Sequence, residues 1–280
     1  MKWHNKIGLG SVQFGLEYGI SNQSGQTSFE EVAKILDLAF AQNIQIIDTA
    51  SGYGTSESVI GDLNKNRFSI VSKFMPSQSA EDIRNQLQKS LSLLKIKTLY
   101  GYLAHRPLDL IENIVVWKEL QKLKCEKKIQ KIGFSLNTPE EYHQLKSAGL
   151  IPDLVQVPYN YFDTRFKEVL IELKKIGCEV HTRSTFLQGL FFAKTEKLSS
   201  FFDELKPNLN QLQKIHQDKL EGALLAYVLG QEFIDVVIMG VENEYQLRNN
   251  INSIAMAPQL EPLKVAFSEQ LIMPVHWPKN

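Results

Sequence analysis

Ile44-Gln45-Ile46-Ile47-Asp48-Thr49-Ala50-Ser51-Gly52-Tyr53-Gly54 is the stretch on which the fold turns. Its first half is a branched, apolar run of the kind that favours strand. The run ends in an acid, and a tyrosine between two glycines follows five residues later. The pattern predicts a buried strand that delivers a carboxylate and a phenol to its C-terminal end.

The same alternation extends to both sides. Upstream, residues 7–12 read as a strand that ends in the Gly-rich loop Phe14-Gly15-Leu16-Glu17-Tyr18-Gly19. A helix is expected over 28–41, capped by Ser28, with Glu31 completing a capping box. Val32, Ile35, Leu36, Ala39 and Phe40 form its apolar stripe. Downstream, strands are expected at 67–74, 98–104, 131–135, 153–158, 178–183 and 235–239. Helices are expected at 56–63, 80–95, 110–127, 165–176, 209–229 and 244–254, and from Thr138, where Pro139 takes the first helical position and Glu141 stands three residues after the cap.

Eight strand-like runs, each followed by a helix, make an α/β chain. The strands are short and nearly continuous in apolar character, as parallel strands covered on both faces are. Eight repeats favour a closed (β/α)8 TIM barrel over a doubly wound open sheet. No linker or low-complexity segment interrupts 1–280, so one barrel domain is expected. The formal net charge of 0 gives no case for nucleic acid or an anionic membrane as partner. No apolar run approaches the length of a membrane span, and no signal-peptide core follows Met1-Lys2-Trp3-His4-Asn5-Lys6. Cys125 and Cys178 are distant in sequence and read as reduced thiols, consistent with a cytoplasmic protein.

In such a barrel the strand ends converge on one mouth. Asp48 and Tyr53 would arrive from the second strand, Lys73 from the third and His105 from the fourth. Each has a plainer reading: a turn-forming acid, a surface aromatic, a solvated cation, a loop imidazole. Together they make a chemical group. A free phenol titrates at about 10 and is a poor acid near neutrality. A neighbouring ammonium favours the phenolate, and a carboxylate keeps that ammonium charged. The phenol can then protonate a developing alkoxide while the imidazole holds the carbonyl oxygen.

Asp48-Thr49-Ala50, Tyr53-Gly54, Ser56-Glu57, Ser72-Lys73 and Ala104-His105-Arg106-Pro107 resemble, in order and spacing, the motifs of the aldo-keto reductase family. The similarity covers nearly the whole chain. It implies a barrel enzyme that reduces aldehydes or ketones to alcohols, with Tyr53 as general acid, Lys73 and Asp48 tuning it, and His105 positioning the carbonyl. It also implies a nicotinamide cofactor, NADP(H) with NAD(H) left open. Ser135 and Gln156 would hold its carboxamide, and Arg183 and Ser184 would stack on the ring and meet a phosphate. Gly240, Gln246 and Asn250 would meet the adenosine end. Asn137 stands one place later than the family's usual Asn; Gly240, Val241 and Gln246 fall where NADPH-selective relatives often carry a base, and Glu242 is acidic. The substrate pocket is expected from Phe14, Tyr18, Phe74 and Tyr159, together with the 186–192 segment. The 15–20 loop resembles those of relatives acting on sugars, so a sugar-derived carbonyl is among the expected small-molecule substrates. A catalytically silent nucleotide-binding regulator is the alternative. A metal-dependent hydrolase using Asp48 and His105 is a third reading, for which no ligand-spaced cluster speaks.

Overall fold

The computed structural model describes residues 4–19, 22 and 25–278. Ile20 of the first loop and the stretch 1–3 ahead of His4 lie outside them. The strands are β1 (Ile7–Gly10), β2 (Ile46–Asp48), β3 (Ser69–Phe74), β4 (Leu99–Ala104), β5 (Ile129–Ser135), β6 (Leu154–Pro158), β7 (Glu179–Arg183) and β8 (Val236–Gly240). They run parallel in chain order and close into a barrel, where Gly8 of β1 pairs with Ile238 of β8. The (β/α)8 fold expected from the alternation is therefore the fold observed.

Period-2 alternation sorts each strand into two faces. The outward residues bury against the helices in one large core that includes Ile47, Ile70, Phe134 and Val155. Inside the barrel, Val71, Leu103 and Leu154 form a small apolar plug. Above the plug, the inward residues are polar, and that change of character creates a site at the mouth.

The helix ends show why the elements sit where they do. Ser28 caps the Phe29–Ala41 helix by accepting from Glu31 N. The expected capping box is only half made, because Glu31 Oε1 instead accepts from Glu244 N at 2.8 Å. That bond ties the first long helix to the Glu244–Ser253 helix across the β1–β8 seam. Thr138 and Glu141 make the complete box. Two long helices expected from periodicity are each broken. Asn113 leaves helical angles between Asp109–Glu112 and Ile114–Cys125. Gln217, with φ 44°, separates Lys206–His216 from Leu220–Leu229. Apolar spacing continues across both breaks, so periodicity alone does not reveal them.

The C-terminal tail has its own packing. Tyr161, Phe162, Leu187, Phe191, Phe267 and Trp277 share a second core beneath the loop after β7. Trp277 Nε1 donates to Leu271 O, and Arg165 pairs with Glu269. The tail thereby underpins the loop that walls one side of the mouth. Cys125 is exposed and Cys178 buried, and both are free thiols. No helix among the described residues is long and apolar enough to cross a membrane.

Candidate active site

The turn that carries Tyr53 is seated by a close crossing of two backbones. A Cβ on Gly15 would lie 1.9 Å from Tyr53 O, and one on Gly54 would lie 2.3 Å from Gly15 O. Gly54 also has φ +55°, where glycine carries no steric cost. Below the crossing, Ser56 Oγ meets Ser11 Oγ at 2.7 Å and donates to Ser11 O, with Thr49 Oγ1 at 3.1 Å. Ser51 Oγ donates to Lys73 O and fastens the same turn to β3. Glu57, the other half of the Ser-Glu motif, does not reach the mouth. It is buried beneath it, accepting from Ser72 at 2.6 Å and from Ser90 at 3.1 Å.

Lys73 is 0% exposed. Its ammonium has three donors and three partners: Asp48 Oδ2 at 2.6 Å, Thr49 O at 3.0 Å and Tyr53 Oη at 3.5 Å. Burial works against the charge, but Asp48 and the phenol outweigh it and hold the lysine above its ordinary pKa. The second oxygen of Asp48 accepts from Gln156 Nε2 at 2.7 Å, a contact across the barrel between residues 108 apart in sequence. Since Lys73 donates to the phenol oxygen, the proton of Tyr53 is left to point elsewhere. His105 stands edge-on to the Tyr53 ring, with centroids 5.9 Å apart. Burial first, then the charges of Lys73 and Arg183, push its pKa down to about 4. The imidazole is thus neutral at ordinary pH and keeps one N–H to donate.

A cavity of about 610 Å³ opens at the barrel mouth, in the size range of small-molecule sites; Lys73, fully buried, is not part of its lining. Asp48, Tyr53, His105, Ser135, Gln156, Arg183 and Ser184 all reach it, as do Gly240, Gln246, Asn250 and Tyr18. Gln156 Oε1 is buried with no partner, an acceptor left over after its amide has bonded Asp48. Arg183 donates to Leu136 O and to Asn137 Oδ1 at 2.7 Å, which fixes the guanidinium plane. Gln188 Nε2 donates to Tyr18 Oη across the cavity rim.

Three expected pocket residues do not line the cavity. Phe74 follows Lys73 on β3, so when Lys73 faces the barrel interior Phe74 must face outward, where it packs 5.0 Å from Tyr102. Tyr159 is turned away by the same alternation after β6 and meets Phe233 at 5.7 Å. Phe14 lies in a short helical turn, Val12–Gly15, that sends Gln13 to the cavity and Phe14 to the core. Asn160, just beyond β6, builds a turn by accepting from the N–H groups of Phe162 and Asp163. The aromatic wall comes from Tyr18, Phe186 and Phe192.

Other lining residues carried no assignment in the sequence. Met75 and Arg106 follow strand ends and could have been found by counting two or fewer residues past β3 and β4. Glu221 arrives from a helix, where strand-end reasoning gives no signal. Among the described residues, no three His, Cys, Asp or Glu side chains gather in a way that could hold a metal ion.

The model of the aldo/keto reductase family matches residues 6–266 of this sequence. The chain belongs to that family. Aldo-keto reductases are oxidoreductases acting on carbonyl groups, so this is the chemistry to which the mouth is to be compared. A probable aldo-keto reductase from Glycine max is 24% identical over 94% of this chain and 84% of its own. A putative aldo-keto reductase from Pseudomonas aeruginosa is 25% identical, with 90% of each chain covered and a TM-score of 0.69. The holo form of an aldo-keto reductase from Bacillus halodurans is 18% identical over 95% of each chain, with a TM-score of 0.75. That last likeness speaks to the barrel alone.

Proposed function

We propose that this aldo-keto reductase reduces a small polar aldehyde or ketone with a nicotinamide dinucleotide, Tyr53 serving as the proton donor. The observation that carries the reading is the triply bonded Lys73, whose third N–H meets the phenol oxygen. With that oxygen accepting from an ammonium, negative charge on it is stabilised, and the phenolic proton is free to leave toward a developing alkoxide. Asp48 does not touch the reacting atoms; it and Gln156 hold the ammonium charged and aimed. Neutral His105 donates to the carbonyl oxygen and orients it without adding a full charge.

The dinucleotide would supply the hydride, which no side chain can do. Residues that fit it are present. Gln156 Oε1 is a buried acceptor in want of a donor, which suits the amide of a carboxamide. Ser135 stands on the neighbouring strand, paired in register with Gln156, and offers a hydroxyl to the same group. Arg183 presents a fixed guanidinium plane beside them, able to stack on an aromatic ring or meet a phosphate. Tyr18, Phe186 and Phe192 with Gln188 and Arg106 make a wall that is apolar with a few polar anchors. Such a wall accommodates a sugar-derived carbonyl as well as simpler ones.

The test is Tyr53→Phe. Carbonyl turnover should fall to background while the dinucleotide still binds. Turnover retained in that variant would remove Tyr53 as the acid.

A further inference from the structure

The β8 wall of the cavity is acidic. Glu242, two residues past β8, and Glu221, in the first turn of the Leu220–Leu229 helix, both line it. Burial pushes both carboxyls above the ordinary value, and no cation offsets that burial for either one. Gln246 Oε1 takes the Glu242 backbone N–H at 2.8 Å, and Thr27 Oγ1 donates to Glu242 O at 3.1 Å, so the segment is held from both sides. Beside it, Gln13 is only 9% exposed, yet its Oε1 has no partner. Gln13 lies against Gly240, where a Cβ would stand 3.1 Å from its amide, and both residues line the cavity. This wall therefore offers carboxylates and amides, with one buried acceptor left over.

Among the described residues it offers no cation. The basic residues that line the cavity among those described are Arg106, in the loop after β4, and Arg183, the last residue of β7. Arg248, the one base on the adjoining helix, is exposed and paired with Glu244 one turn back. A phosphate on a ribose needs cations or fork donors, and a carboxylate next to it is repulsive. A free ribose hydroxyl is instead a donor that a carboxylate accepts from, as acidic residues do in unrelated dinucleotide sites.

We infer that Glu242 reads an unphosphorylated ribose, so that this chain binds NAD(H) in preference to NADP(H). The preference rests on the nicotinamide-dependent reading above, and it reverses the NADP(H) expected from the family resemblance. Glu221 acts in the same direction through its charge, and Gln13 Oε1 is available to a further donor on the ligand.

The test is equilibrium binding by calorimetry to the intact, nucleotide-free protein, with no carbonyl compound present. NADH and NADPH are titrated separately into the wild type, Glu242→Gln and Glu242→Arg. NADH should bind the wild type at least tenfold more tightly. The gap should narrow in Glu242→Gln and invert in Glu242→Arg. NADPH binding as tightly as NADH in the wild type, or more tightly, overturns the preference while leaving the reductase reading in place. Binding of neither dinucleotide overturns that reading and the preference with it.

Discussion

Two walls of one cavity are built on opposite principles. On the β2–β4 side Lys73 and Asp48 are committed: all three Lys73 donors and both Asp48 oxygens have partners, while His105 keeps a buried ring nitrogen, Nδ1, without one. Gly15, Gly54 and the Ser11–Ser56 pair fix the turn that carries Tyr53. On the side running from β5 through β8 to the turn after β1, polar atoms are left over. Gln13 Oε1 and Gln156 Oε1 are buried without partners, and Glu221 and Glu242 have no counter-ion among the described residues. Buried polar atoms are normally satisfied, so a wall that leaves them open is shaped for something that arrives. The lesson is that orientation and selection are separated in space. A rigid wall presets the proton donor, and an unsatisfied wall waits for the ligand.

Breaking the rigid wall should have the larger consequences. Lys73→Met removes the ammonium from the phenol and leaves Asp48 buried with Gln156 alone. We expect kcat to fall on the order of 10³-fold, the range of a lost acid–base contribution, together with a lower melting temperature from the uncompensated carboxylate. Steady-state kinetics and calorimetric melting measure the two. A loss of less than tenfold in kcat would show that the ammonium does not set the acid. Gly15→Ala comes next. Its methyl must displace the Tyr53 carbonyl, and a misplacement of about 1 Å is worth about 10²-fold in rate. Dinucleotide binding should survive in this variant, because the added methyl meets the Tyr53–Ser56 backbone rather than Gln13 or the β8 segment; kcat falling with an unchanged binding constant is the outcome that supports the separation.

Much of this site can be read from strand ends. Asp48, Lys73, His105, Ser135 and Arg183 all lie at or next to the last residue of a parallel strand, and Gln156 two residues before one; barrel geometry brings such residues to one mouth. The barrel itself follows from eight apolar runs separated by helical periodicity. Phe14, Phe74 and Tyr159 were not legible in the same way, whereas Tyr18 and the 186–192 segment do supply the aromatic wall. Phe74 is one residue from Lys73, and a strand sends neighbours to opposite faces, so proximity in sequence meant separation in space. Gln156 lines the cavity, and its bond to Asp48, which no motif announces, spans the barrel and depends on strand register. Glu221 reaches the cavity from a helix whose start is set by the break at Gln217, a break without a proline or glycine to mark it. Arg248 illustrates the reverse, a base near the right segment that the helix turns to solvent.

Gln156 belongs to both walls, since its amide serves Asp48 and its oxygen faces the open side. Gln156→Leu should therefore blur the separation. The lost acceptor weakens the dinucleotide by about tenfold in Kd, equivalent to about 1.4 kcal/mol. The lost donor frees one oxygen of Asp48 and lowers kcat by a smaller factor. Calorimetric titration of the dinucleotide and single-turnover rates separate the two effects. Weaker binding with an unchanged rate would assign Gln156 wholly to the selecting wall.

The smallest effect expected is on stability in mild acid, and it comes from His105. The unfolded imidazole takes up a proton as pH falls through 6.5, whereas burial and the charges of Lys73 and Arg183 hold the folded one neutral down to about 4. Between those values the unfolded state binds more protons, so stability rises with pH across the window and is lost as pH falls. At pH 6 the cost is on the order of 1 kcal/mol. His105→Asn removes the titrating group, so its stability should decline less steeply than that of the wild type between pH 6.5 and 4. Denaturant titrations at matched pH values give the two curves. Parallel curves would mean that the folded imidazole titrates near its ordinary value, and that the proton-donating wall carries a charge at the carbonyl which the neutral-imidazole mechanism does not use.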